Sequence, residues 1–181
     1  MIAFITGNAH KAAEVERLLG SPVRHEAVSG EEIQAIDLEP VVRDKAAHAY
    51  TVLRRPVLVE DTGLAFSAMN GFPGALIKWF LQSLGTDGIC RLLQAETDRR
   101  AHATTVFGYH DGTTCHVFTG TVAGSIPDIP RGSQGFGWDA IFQPHGSPRT
   151  FAEMTAEEKD QFSMRRLALE QFRDSGLIKI A

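Results

Sequence analysis

At 181 residues and 43% hydrophobic content, the chain is the size of one domain and has enough apolar material for a core. A net charge of −4 excludes broad electrostatic binding of DNA or RNA, yet a few local cations and a metal would still serve a small phosphorylated ligand. Cys90 and Cys115 are the only cysteines and lack CxxC spacing, which excludes a disulfide framework, while no run approaches the roughly 20 apolar residues of a membrane span.

Residues 1–5 read as a short apolar strand, too short for a signal core, followed by a Gly7-Asn8 turn. Ala12, Val15, Leu18 and Leu19 recur at helical spacing over residues 9–19, and Gly20-Ser21-Pro22 stops that helix. Residues 23–28 suit a second strand. Residues 39–53 suit a second helix, with Val42, Ala46, Ala49 and Leu53 on one face. Residues 56–59 form a buried-strand pattern that ends on Glu60 and Asp61. Pro73-Gly74 then introduces a helix over 75–84, and another follows to Leu93.

Two β-type runs, 101–109 and 115–123, flank His110-Asp111-Gly112-Thr113, the Asp-Gly signature of a tight hairpin. A Gly-rich loop over 130–137, a short strand over 138–142 and a final helix over 163–173 complete the chain. The mixture predicts one α/β domain, residues 1–181, with a mixed sheet rather than regular alternation. The expected compartment is a reducing cytoplasm.

Four segments carry chemistry. Thr6-Gly7-Asn8-Ala9-His10-Lys11 lies at a strand-to-helix junction, where free backbone N–H groups and the helix dipole favour an anion. Lys11 opposes that dipole, and an anion held nearby would account for it; an ordinary Asn cap with a surface lysine accounts for the same residues. Glu60-Asp61-Thr62-Gly63 follows an apolar strand, where paired carboxylates suit magnesium. A solvated acidic turn is the plainer alternative. In the 130–139 loop, Phe136 or Trp138 could stack on a nucleobase across Gly137, and Asp139 could accept from base N–H groups. One of the two aromatics is expected in the core. Lys159 and Arg165 could clamp a polyphosphate, with Ser163 capping the final helix; an exposed mixed-charge helix pair is the alternative. Of five lysines against thirteen arginines, Lys11, Lys45, Lys78 and Lys159 fall in candidate site segments of the chain, and Lys179 falls outside them.

The motifs TGNAHK (6–11), VEDTGL (59–64), GFPG (71–74), RGSQGFGWDAIFQP (131–144), TFAEM (150–154), EEK (157–159) and S-x-R (163–165) occur in an order that resembles the inosine triphosphate pyrophosphatases along nearly the whole chain. IKWF at 77–80 and GWD at 137–139 look like the eukaryotic-type branch. The resemblance implies an elongated two-lobed α/β fold with a mixed sheet flanked by helices, an active-site cleft between the lobes, and a homodimer. It implies hydrolysis of ITP, dITP or XTP to the monophosphate and pyrophosphate, with Mg2+. Carried over by motif, Thr6, Gly7, Asn8 and Lys11 would hold phosphates. Glu32, next to Glu31, and Asp61 would bind metal, with Asp61 as the base. Lys45, Thr62 and Lys78 would contact the ligand. Phe136, Gly137, Trp138 and Asp139 would cradle the purine, with Lys159 and Arg165 lining the same site.

The chain departs from the family pattern at Met164, where Ser-His-Arg becomes Ser163-Met164-Arg165. A histidine can donate to a 6-oxo group and a thioether cannot, so base discrimination is expected to weaken here. Two rival readings follow: a related pyrophosphatase with altered base preference, and a nucleotide-binding protein that no longer hydrolyses. The intact acidic pair and the four lysines count against the second.

Overall fold

The computed structural model describes residues 2–178; Met1, placed above in the first strand, and Lys179, set outside the site segments, lie outside the described residues. The strands are β1 (Ala3–Ile5), β2 (Arg24–Glu26), β3 (Val57–Phe66), β4 (Pro73–Gly74), β5 (Arg100–His110), β6 (Cys115–Ser125) and β7 (Gln143–Pro144). The helices are α1 (Ala9–Leu19), α2 (Leu38–Leu53), α3 (Ile77–Leu92), α4 (Ala156–Gln161) and α5 (Met164–Asp174). The strands form one mixed sheet in the order β2-β1-β3-β5-β6-β7, with β4 on β3. β1 runs parallel to β2 and β3, whereas β4 and β7 pair antiparallel to β3 and β6. This is the mixed α/β sheet that the pattern predicts.

The residues divide into two compact units. Among the described residues, one comprises 2–62, 105–120 and 165–178, the other 63–104 and 121–164. Each unit is assembled from separate stretches of chain, so no composition break in the sequence marks it.

In the first unit, α1 and α2 are the crossovers that parallel pairing demands. Phe4, Ala12, Val15, Leu19, Leu58, Phe107, Ala168, Leu169 and Phe172 form its core. Val57, Leu58 and Val59 are fully buried, as a central strand covered on both faces requires. Leu64, Ile89, Ile126, Trp138, Phe142, Phe151 and Met164 are among the core residues of the second unit.

Two expectations change in detail. Glu60 and Asp61 stand inside β3, not at its end: Leu64 and Phe66 continue the buried alternation, and β4 pairs there. A charged pair mid-strand reads as a turn unless its charges are matched from elsewhere in the fold. Gly63 is required at this point, because a Cβ there would come within 2.9 Å of the Gly74 backbone. The two helices expected over 75–93 are both present within α3, separated by a kink at Gly85 with non-helical φ 65° and ψ 178°. Residues 138–142 are not a strand but a 3-10 turn over Asp139–Ile141, closed by Ile141 N–H to the Trp138 carbonyl. Trp138, Asp139, Ile141 and Phe142 are buried, a helical rather than two-residue spacing.

Candidate active site

In the first unit the register of the sheet assembles the acidic and basic groups. Ile5 lies opposite Val59 in the parallel pair, so the 6–8 turn stands level with Glu60 and α1 starts beside it. The turn is an Asn cap: Asn8 Oδ1 accepts from the N–H groups of His10 and Lys11 at 3.0 and 3.2 Å, and Thr6 Oγ1 accepts from Asn8 N–H. The oxygens of both side chains are thus turned onto the backbone. What they can offer a ligand are donors, the Thr6 hydroxyl proton and the Asn8 amide NH2, which suit phosphate oxygens. The cap and the anion seat are therefore compatible in the same turn.

Lys11 reaches across to the strand. Its Nζ is 3.3 Å from Glu60 Oε1 and 3.8 Å from Asp61 Oδ1. Burial alone would raise the Glu60 carboxyl, but Arg165 and Lys11 beside it, with hydrogen bonds from Arg165 and Thr62, outweigh that and hold it well below the usual range. For Asp61 the balance goes the other way. Burial raises its carboxyl, Lys11, Lys45 and the Thr62 N–H oppose the rise, and the charge of Glu32 adds to it. Glu32 in turn pairs with Lys45 at 2.7 Å. Lys11, Lys45, Glu32 and Asp61, proposed from separate motifs, are electrostatic neighbours.

Arg165 is placed differently from the expected polyphosphate clamp. It is 1% exposed, and its Nε and Nη2 fork onto Glu60 at 3.1 and 2.8 Å while Nη1 bonds Glu14. Thr62 Oγ1 donates to Glu60 and lies 3.5 Å from Thr105 Oγ1 on β5. Glu14 and Thr105 went unnoticed in the sequence. Glu14 sits within the amphipathic α1 and is 9% exposed; a carboxylate so placed signals a buried partner, but nothing local names it.

The second unit holds the remaining residues. Lys159 is 5% exposed and donates to Asp139 Oδ2 at 2.7 Å, and that same oxygen accepts from Phe136 N–H. Asp139 is therefore a buried anchor for the loop, not an open acceptor for a base. Lys159 Nζ also lies 5.0 Å from the Phe136 ring centroid. Trp138 packs on Phe142 and Phe151 in the core, and Phe136, half-buried, is the less enclosed aromatic of the loop. Gly137 beside it is exposed. Lys78 is exposed at the start of α3, its Nζ 5.6 Å from the Trp79 ring. Met164 is 2% exposed within the core, so its placement is that of a packing residue.

Gly135 shows how tightly this loop is built. Its φ is +74°, and a Cβ would lie 2.1 Å from Asp139 Oδ2. Gly135→Ala is expected to push Asp139 off Lys159 and cost about 2–4 kcal/mol, from the left-handed backbone and the weakened buried pair. Chemical denaturation measures this, and a loss under about 0.5 kcal/mol would show that the loop gives way freely.

Residues 2–175 match the Ham1 family profile. The chain belongs to the Ham1 family. Ham1 relatives of similar length include the inosine triphosphate pyrophosphatase of Schizosaccharomyces pombe, 44% identical over 177 residues, covering 96% of this chain and 93% of the relative. The dITP/XTP pyrophosphatase of Thermococcus kodakarensis is 44% identical over 174 residues, covering 94% of each chain. Among solved structures, a HAM1 protein from Coxiella burnetii superposes with a TM-score of 0.83 at 27% identity, covering 97% of this chain and 98% of the other. The mixed sheet is thus the Ham1 fold, and among the described residues no helix is long and apolar enough to cross a membrane.

Proposed function

We propose that this Ham1 chain hydrolyses non-canonical purine nucleoside triphosphates, ITP, dITP and XTP, to the monophosphate and pyrophosphate, and so cleanses the nucleotide pool. The observation that carries the reading is the lysine–carboxylate cluster, with Lys11 between Glu60 and Asp61 and Lys45 on Glu32. Relatives named for this activity over nearly the full length support it.

Among the described residues no three His, Cys, Asp or Glu side chains form a metal cage. Magnesium does not need one: it takes one or two carboxylates and completes its shell with water and substrate phosphates. Glu32 and Asp61 are hard oxygen donors, with the charge of Glu32 close enough to raise the Asp61 carboxyl, and they fit such an ion. When bound, it supplies positive charge that neutralises phosphate and acidifies water. The protein's own groups do the rest. Thr6, Asn8, Lys11, Lys45 and Lys78 donate to phosphates, with Gly7 letting the backbone approach and Thr62 contacting the ligand. Asp61 orients or deprotonates the water that attacks the α-phosphorus, and its raised carboxyl makes it a stronger proton acceptor than an ordinary aspartate. Phe136 and Gly137 receive the purine, while Trp138, Asp139 and Lys159 hold that loop in shape and Arg165 holds Glu60. The working form is a cytoplasmic homodimer of one 181-residue catalytic domain, with no nucleic-acid or membrane partner.

The deciding experiment is a panel of ITP, XTP, dITP, GTP, ATP and pyrimidine triphosphates assayed for pyrophosphate release with magnesium. Preference for the first three supports the reading; nucleotide binding without release, or release from canonical nucleotides at equal rates, refutes it. Met164→His belongs in the same panel. Because position 164 is buried among apolar side chains, the expected result is an unchanged base ranking with a lower melting temperature, since an imidazole replaces a thioether in the core. A ranking shifted toward 6-oxopurines would return the base-reading role to this position.

A further inference from the structure

We propose that Glu60 is a positioning residue for the reaction above, acting on substrate through Lys11. The inference rests on the pyrophosphatase reading and goes beyond it, because Glu60, 3% exposed, is buried and acts through the groups around it.

The carboxylate is fixed from within the first unit. Arg165 donates to both of its oxygens, at 2.8 and 3.1 Å, and Thr62 donates to Oε1. Arg165 is itself secured by Glu14, so Glu60 has little freedom to move. The cation in contact with Glu60 that leads outward is Lys11, whose side chain is 17% exposed. A lysine ammonium on its flexible four-carbon stem samples many positions unless it is anchored. Asp61 alone is a loose anchor at 3.8 Å, and Glu60 is the nearer one at 3.3 Å. Glu60 therefore decides where the Lys11 charge stands relative to Asp61.

Charges along this path alternate: Glu14, Arg165, Glu60, Lys11, Asp61, Lys45, Glu32. The buried end of this row is a rigid ruler for its open end. A ligand phosphate that draws Lys11 away from Asp61 still finds the ammonium tethered at Glu60, so the cation is presented instead of searching for its place.

The test is a double-mutant cycle between Glu60→Gln and Lys11→Met, read in kcat/KM for pyrophosphate release from ITP and in the dissociation constant of inorganic triphosphate by calorimetry. Glu60→Gln alone is expected to lower kcat/KM about 10- to 100-fold, the scale of misplacing a charged group by about an ångström. In the Lys11→Met background the same change is expected to cost less than about 2-fold. Equal losses in both backgrounds would overturn the proposal and leave Glu60 a purely structural residue. Glu60→Asp keeps the charge that Arg165 needs while withdrawing it by one methylene; it replaces Glu60→Gln in the cycle if the amide variant does not fold. If the wild type releases no pyrophosphate, the functional reading fails by itself. The cycle in triphosphate affinity still decides whether Glu60 acts through Lys11.

Discussion

Asp61→Asn is expected to lower pyrophosphate release by about 10²- to 10⁴-fold, the usual worth of a positioned general base, without loss of the fold. The amide keeps the shape of the side chain and an oxygen for the Thr62 N–H, now 2.9 Å from Oδ1. Lys11 and Lys45 retain Glu60 and Glu32 as partners. The stability effect has a definite sign. Burial raises the Asp61 carboxyl above its ordinary value, against the pull of Lys11 and Lys45. A carboxyl with a higher folded than unfolded pKa contributes stability below its unfolded value of about 3.9, and loses it as pH rises through the folded value. At neutral pH the ionised group is therefore a net cost. Metal-free Asp61→Asn should melt at or above the wild-type temperature at pH 7, and the difference should vanish in acid below both pKa values. Magnesium should raise the wild-type melting temperature and leave the variant nearly unchanged. A variant that keeps its activity, or one that melts clearly lower at pH 7, would remove Asp61 from its assigned role.

Arg165→Met is the change expected to damage the fold most, by about 3–5 kcal/mol. The guanidinium is 1% exposed and serves Glu14 and Glu60 together, so its loss strands two carboxylates in the interior. In the wild type the Glu60 carboxyl is depressed by Arg165 and Lys11 despite its burial. Its contribution to stability is present above the unfolded value and disappears as pH falls through the folded one. Without Arg165 that dependence inverts: burial dominates, and the variant should gain stability on acidification as Glu60 takes up a proton. Urea unfolding midpoints at pH 7 and pH 5 measure both statements. Adding Glu14→Gln and Glu60→Gln to Arg165→Met should recover part of the loss at pH 7. A stable single variant with ordinary pH dependence would show that water reaches these carboxylates.

The elements with strong local signals were readable from the chain. The amphipathic spacing of α1 and its Gly20 stop, the α2 stripe and the Asp111-Gly112 turn are short-range patterns, and the structure has them where the spacing puts them. Asp111 even closes its own turn, accepting from Thr113 and Thr114 N–H. The 3-10 turn at 139–141 is not legible in the sequence, because Trp-Asp-Ala-Ile-Phe is apolar enough for a strand. Its helical burial spacing becomes visible only once the packing of Trp138 on Phe142 and Phe151 is known.

The Thr6-to-Lys11 turn and the Glu60-Asp61 pair could be singled out from sequence alone because chemistry is concentrated in a few adjacent residues there. The sequence by itself determined which residue types are available: an anion-favouring cap, two carboxylates on an apolar strand, and scarce lysines kept near both. Only the tertiary structure decided how the roles are divided. Adjacent residues of a strand point to opposite sides, so Glu60 turns inward to Arg165, 105 positions away, while Asp61 stays near Lys45 and Glu32. Burial then separates two chemically similar acids, holding one low against its cation and raising the other. That division depends on desolvation and on partners distant in the chain, and neither quantity is written in local sequence.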